Sequence, residues 1–287
     1  MRYLIYAILI GILTISTAAQ QTPNFRDLLT KTLAQSKRGN QTGIKFSEVC
    51  NVDEDIVAAR VFADYGAMFV AALKNPLVKF PNNCLLDSNG VQTYQSKASP
   101  TIQTIGRVQI TLQKPAMDAL LDAIAEAKQK NLTISPRGGS EAASRSYEDT
   151  VRLWNSRFVP GLNHWVAKGK ISRKDAETAK KMNIHDQVAT VLDWESQRLW
   201  FSTGFDKSIL YSVAAPGASQ HVFMLALDVS EFSNKQVRDI LAKHGWFQTV
   251  QSDLPHFTYL GVSRDELSNY GLVRKVVSGQ EFWIPNL

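Results

Sequence analysis

The sequence predicts an α+β protein: a small, mostly antiparallel sheet with flanking helices, preceded by a helical N-terminal region. Three observations lead there. In Asn24–Ser36 and again in Asp53–Leu73, apolar residues recur at helical spacing, with a polar turn after the first. From Thr104 onward, short apolar or alternating runs with the look of strands are interleaved with helical stretches. The 287 residues are 44% hydrophobic and 20% charged, which is enough apolar material for a sizeable core.

Taken in order, Asn24–Ser36 carries Phe25, Leu28, Leu29 and Leu33 on one helical face. Asp53–Leu73 is a stronger helix whose acidic start suits the helix dipole. Its stripe of Ile56, Ala59, Phe62, Ala63, Met68 and Phe69 reads as core. Lys74–Ser99, rich in Pro, Asn and Gly, reads as loop. Thr104–Leu112 alternates like a strand, and Pro115 then opens a helix to Asn131, because proline is well tolerated in a first helical turn. Leu132–Gly139 reads as a second strand. Tyr147–Phe158 and Arg173–Trp200 read as helix, the latter as a solvated surface pair. Val222–Val229 reads as a buried strand, Asn234–Gly245 as a helix capped by Ser230 or Ser233 and stopped by its glycine. Trp246–Gln251 and His256–Val262 read as strands, and the chain ends in a short apolar segment, EFWIPNL.

The net charge of +6 can favour an anionic partner such as a cell-wall polymer. Its basic residues are scattered, so no nucleic-acid tract is expected. At the start, Met1 and Arg2 precede the apolar run YLIYAILIGILTI and then STAAQQ. This has the order of a signal peptide, with cleavage after Ala18 or Ala19. The run is shorter than the ~20 residues of a spanning helix, so no transmembrane span is expected after cleavage. Export, to a periplasmic or extracellular place, makes a disulfide between Cys50 and Cys84 the expected state of the two cysteines. The organisation expected is a signal peptide over 1–19, a helical region with the disulfide over 20–103, and a catalytic domain over 104–287.

The chemistry concentrates between Pro216 and Phe257. Imidazole nitrogen and carboxylate oxygen are ordinary zinc ligands, and catalytic zinc sites use three protein ligands and one water. His221, Asp228 and His256 offer such a set. Asp253, three residues before His256 and constrained by Pro255, offers a base for the water's proton. The seven-residue step from His221 to Asp228 puts the two on opposite faces of a regular strand. Both reach one ion only if His221 sits in the loop before the strand or a bulge intervenes. His164, His185 and His244 have no such company and read as structural or exposed.

These residues carry a family resemblance. SQHVFMLALD resembles the S-x-H-x-x-G-x-A-x-D signature of zinc D-alanyl-D-alanine carboxypeptidases of the vancomycin-resistance type and of their L-alanyl-D-glutamate endopeptidase relatives, and SDLPHF resembles the second signature. The resemblance covers roughly residues 104–262. It implies a small α+β fold, zinc held by His221, Asp228 and His256, and Asp253 as general base. It also implies peptidoglycan stem peptides as substrate, with Ser219 helping to hold them. The family's substrate arginine has two candidates here, Arg145 in SRSYED and Arg137 in SPRGGS. Two departures bear on substrate choice: Met224 stands where the signature has glycine, and Thr150 where a glutamine often follows the arginine motif. Two alternatives to a D,D-carboxypeptidase remain at this point: an endopeptidase of the L-Ala-D-Glu type, and a non-catalytic zinc-containing cell-wall binding module. Oligomeric state is not read from the sequence.

Overall fold

A computed structural model describes residues 21–287 except 36, 39 and 40. The expected signal peptide, 1–19, lies outside the described residues.

The chain is α+β. Helix α1 (Phe25–Gln35) precedes a two-residue pair, β1 (Lys37–Arg38) with β2 (Gln41–Thr42). Next come α2 (Phe46–Val49), α3 (Ile56–Tyr65) and α4 (Phe69–Lys74). Asp55 caps α3 by accepting from the amides of Val57 and Ala58, a contact that typically stabilises a helix by about 1 kcal/mol. The expected helix over 53–73 is interrupted by a tighter turn at Gly66–Met68. A β-carbon on Gly66 would lie 2.7 Å from the Phe62 ring, so the glycine lets that ring seat in the core. The span Ile56–Lys74 is long and apolar enough to cross a membrane. Here most of its apolar residues are buried in the protein, Phe62 stacking on Phe25 at 5.5 Å, whereas Ile56, expected in the core stripe, stands exposed at the first position of α3.

The Cys50–Cys84 disulfide forms as expected. The segment expected to be all loop, 74–99, holds α5 (Ser88–Lys97), capped by Asp87. Its polar sequence shows little helical periodicity, and Val91 and Tyr94 are the residues it buries. The single strand expected over 104–112 is instead a hairpin of β3 (Pro100–Ile105) and β4 (Val108–Gln113). It turns at Gly106, whose φ of +63° suits a residue without a β-carbon. The expected boundary at 103/104 therefore falls inside a paired strand. Helix α6 (Lys114–Gln129) follows.

The expected strand 132–139 forms only one bridge, Pro136 with Val229, because proline has no amide hydrogen to give a ladder. Helix α7 (Tyr147–Ala167) starts at a capping box of Ser146 and Asp149 and continues nine residues past the expected end, through Pro160. The stretch 173–200 is a helix pair, α8 (Arg173–Lys181) and α9 (Ile184–Ser196), broken where Asn183 caps the second.

Strand β5 (Ala226–Asp228), β6 (Trp246–Phe247) and β7 (His256–Tyr259) make an antiparallel sheet in the order β5-β7-β6. Helix α10 (Lys235–Lys243), capped by Asn234 rather than by Ser230 or Ser233, joins β5 to β6. The strands are shorter than the sequence runs, since residues 222–224 and 250–254 turn instead of pairing. A last hairpin, β8 (Leu272–Val277) with β9 (Gln280–Pro285), absorbs the C-terminal apolar segment. One hydrophobic cluster of buried residues runs from Phe25 in α1 to Trp283 in β9. The amide of Phe25 donates to Asn286 O at 2.7 Å, tying the start of the described chain to its end.

Candidate metal centre

Register places the first two candidates together. Asp228 is the direct cross-strand partner of His256, and such pairs hold their side chains within contact distance on one face. His221 lies in the turn ahead of β5, which answers the odd spacing: the histidine is not on the strand. The turn reverses at Met224, whose φ is +54°. This is the position where the signature has glycine, and the backbone here adopts the left-handed conformation glycine favours, with methionine bearing the strain. Burial of Met224 and two backbone bonds hold it: its amide donates to His221 O at 3.1 Å, and its carbonyl accepts from Gln113 N at 3.0 Å.

The three ligand atoms converge. His221 Nε2 and His256 Nδ1 are 3.1 Å apart, and each is 3.3 Å from Asp228 Oδ1. The other ring nitrogens are committed: His221 Nδ1 faces Ala143 O at 3.3 Å, and His256 Nε2 donates to Gln220 Oε1 at 2.7 Å. Gln220 is fixed in turn, its amide donating to Tyr65 O at 2.8 Å while Oε1 also accepts from Thr258. Burial pushes the His221 imidazole down to about 4, reinforced by Arg145 and His256 and opposed by Asp228. At neutral pH its Nε2 is then a bare lone pair. Burial alone would raise Asp228, but the two imidazoles overcome it and hold the carboxyl well below its ordinary range. Asp228 Oδ1 is buried and accepts no hydrogen bond among the described residues.

With the ring protons committed to Ala143 O and Gln220 Oε1, three lone-pair centres point at one another, an arrangement that repels unless a proton or a metal cation sits among them. A tetrahedral zinc with ligands at 2.0–2.1 Å needs edges of about 3.3–3.4 Å, close to those here. Two nitrogens and one oxygen, with the far side of each imidazole anchored, fit a zinc ion.

The site opens into a cleft lined by Asp253, Ser219, Arg145, Thr150, Tyr65 and Leu210, among others. The Asp253 carboxylate is reachable by solvent and makes no hydrogen bond with a described residue. The protein crowding it raises its pKa, an effect that Asp228 strengthens and that His256, Arg145 and Arg137 oppose. The two arginine candidates separate. Arg145 reaches the centre, its Nη2 donating to Asp228 Oδ2 at 3.0 Å and its Nε to Glu141 O at 3.1 Å. The Arg137 guanidinium instead lies 5.2 Å over the Phe232 ring at the surface. Its amide donates to Asp228 O at 2.8 Å, so it steadies the ligand strand through its backbone.

Sequence reasoning missed Gln220, which was legible only as a buried amide in an apolar run. It also missed Gln95 on α5, which donates to Arg145 O at 2.9 Å and Val222 O at 3.0 Å. The other histidines are structural: His164 stacks on Phe205 at 4.1 Å, His185 meets Asp55 at 2.9 Å, and His244 meets Glu126 at 2.9 Å.

No protein-family model and no curated protein matches the chain. Two solved structures are distantly similar. One is a vancomycin-resistance D,D-pentapeptidase, VanY of a VanB-type resistance cassette, in complex with Zn(II). It is 15% identical with a TM-score of 0.32, covering 59% of this chain and 82% of that one. The other is VanYB in complex with D-alanine-D-alanine, 15% identical with a TM-score of 0.34, covering 60% and 83%. At that distance the chemistry has to be read from this chain's own residues.

Proposed function

We propose that the chain is an exported zinc metallopeptidase that hydrolyses peptidoglycan stem peptides in the manner of a D,D-carboxypeptidase. The observation that carries the reading is the convergence of His221 Nε2, Asp228 Oδ1 and His256 Nδ1 at the floor of a cleft. The two signature-like segments support the substrate class, and the disulfide is consistent with an oxidising compartment.

When bound by these three residues, zinc supplies Lewis acidity and a water of lowered pKa. Asp253 accepts the proton of the attacking water and passes it to the leaving amine, a role that fits a carboxylate with free oxygens and a raised pKa. Arg145 brings positive charge to the place where oxyanion charge develops. It also holds Asp228 by its outer oxygen, leaving Oδ1 to the metal. Ser219, on the turn before His221, lines the cleft and helps to seat substrate.

The test is metal analysis of the purified protein together with mass spectrometry of digested muropeptides. One zinc per chain and loss of a terminal D-alanine, stopped by chelation, are expected. Asp253→Ala should keep its zinc and lose about 10²- to 10⁴-fold in kcat, the usual weight of a general base. Cleavage between L-alanine and D-glutamate would move the assignment to the endopeptidase branch. Zinc with tight muropeptide binding and no cleavage would make it a binding module.

A further inference from the structure

We infer that Arg157 is the receptor for a carboxylate that the substrate carries about three residues from the bond that is cut. The inference rests on the peptidase reading of the cleft and names a specificity determinant within it.

Helix α7 gives one face to the cleft. Thr150, Leu153 and Arg157, at successive helical turns, all line it. The metal end lies at the start of this helix, where Ala143 and Arg145 contact His221 and Asp228. At 1.5 Å per residue, Arg157 lies about 10 Å further along than Thr150. An extended peptide covers that length in about three residues.

The Arg157 guanidinium is set for a ligand. Pro160 has no amide hydrogen, so the carbonyl four residues back, Ser156 O, is left without its helical donor. Arg157 Nη1 takes that carbonyl at 3.3 Å and Ser156 Oγ at 2.9 Å. Arg157 Nε is shielded from solvent and has no acceptor among the described residues. No carboxylate among the described residues pairs with this arginine, in contrast to Arg145, which is matched by Asp228.

Charge points the same way. The arginines of the cleft, Arg145 and Arg157, are balanced by Asp228 and Asp253 before any metal is counted. A divalent cation in the triad leaves the cleft net positive, and its counter-charge has to arrive with the substrate. A carboxylate receives the paired donors of a guanidinium better than any neutral group does.

The experiment uses two peptides, L-Ala-γ-D-Glu-L-Lys-D-Ala-D-Ala with the D-glutamate α-carboxylate free, and the same peptide with that group as carboxamide. Each is titrated calorimetrically into the zinc-supplemented full chain and then assayed for cleavage. The acidic peptide should bind about 10- to 100-fold more tightly than the amide, the usual weight of a charge-assisted pair. Arg157→Gln should remove that preference with zinc content and thermal midpoint unchanged, and Arg157→Lys should restore part of it. Equal binding of both peptides by the wild type, no binding of either, or a preference that survives in R157Q overturns the assignment. Discrimination without cleavage sinks the peptidase reading and leaves Arg157 in place. Cleavage of both peptides alike, with no preference, does the reverse.

Discussion

Two clefts of this protein are lined by charge, and they treat it in opposite ways. At the back of the three-stranded sheet, between α10 and the C-terminal hairpin, a groove gathers Lys235, Arg238, Asp239, Arg264, Arg274 and Glu281. Its carboxylates are shared out: Asp239 takes Lys235 at 2.6 Å and Arg264 at 3.4 Å, while Glu281 takes Arg264 at 3.3 Å and Arg274 closer still. Arg238 ends on the carbonyls of Phe232 and Ser233. Of the groove's polar groups, the Trp246 indole nitrogen is buried without a partner among the described residues. The metal cleft instead withholds partners from groups that would do chemistry: Asp228 Oδ1 and Arg157 Nε are buried without one among the described residues, and the exposed Asp253 carboxylate is left to solvent. A buried polar atom without a partner costs on the order of 1–3 kcal/mol. A cleft whose charged groups bear this cost twice is set up to have it relieved by a ligand, whereas charge that is already paired has structural work.

The sharpest way to break this comparison is at Gln220. Replacing it with alanine removes the acceptor that keeps the His256 proton on Nε2. Zinc affinity should fall about 10- to 100-fold, the usual effect of losing a partner that orients a ligand histidine. Competition against a fluorescent chelator reads it, and unchanged affinity would mean that the histidine needs no orienting.

A smaller effect is expected at the back. Glu281→Gln should cost no more than about 1 kcal/mol by chemical denaturation, because its ion pairs are half open to solvent and screened. Zinc content and turnover should not move. A change in either would show that the two clefts communicate.

The smallest effect concerns His185 and Asp55, where the first turn of α9 meets the cap of α3. Partial burial lowers the His185 pKa, but the hydrogen bond and charge of Asp55 outweigh it, so the net shift is upward. Asp55 is lowered overall, its contacts with His185 and the α3 amides overcoming burial. The histidine's contribution is therefore complete below its unfolded value of about 6.5 and fades as pH rises through the raised folded value. The aspartate's contribution is complete above about 3.9 and fades as pH falls through the lowered one. His185→Gln should thus cost under about 1 kcal/mol at pH 5.5 and less at pH 8.5, given how open the pair is. Thermal unfolding at the two values checks it, and an equal loss at both would assign the contact to packing.

The contrast between clefts also separates what was legible in the sequence from what was not. The metal triad was legible because its parts sit in short segments whose spacing is local: a histidine and aspartate around one apolar run, and an aspartate and histidine around one proline. The odd step from His221 to Asp228 could be flagged but not resolved, because only the left-handed turn at Met224 shows that His221 precedes the strand. Arg137 and Arg145 could not be told apart, since the choice depends on which way each chain segment turns after Pro136 and Ala143. Helix α5 was missed because its polar, glycine-containing sequence gains its stability from packing and from the Asp87 cap, not from periodicity. The hairpin at Gly106 was missed because alternation continues across a two-residue turn. Gln220 and Arg157 were missed because their meaning lies in what they touch.

The central claim is that His221, Asp228 and His256 hold one metal ion. Calorimetric titration of zinc into the metal-free protein at neutral pH tests it most directly. The account predicts a single site per chain, with His256→Ala reducing binding to background while the protein stays folded. Absence of zinc binding in the wild type, or binding that survives in H256A, would contradict it.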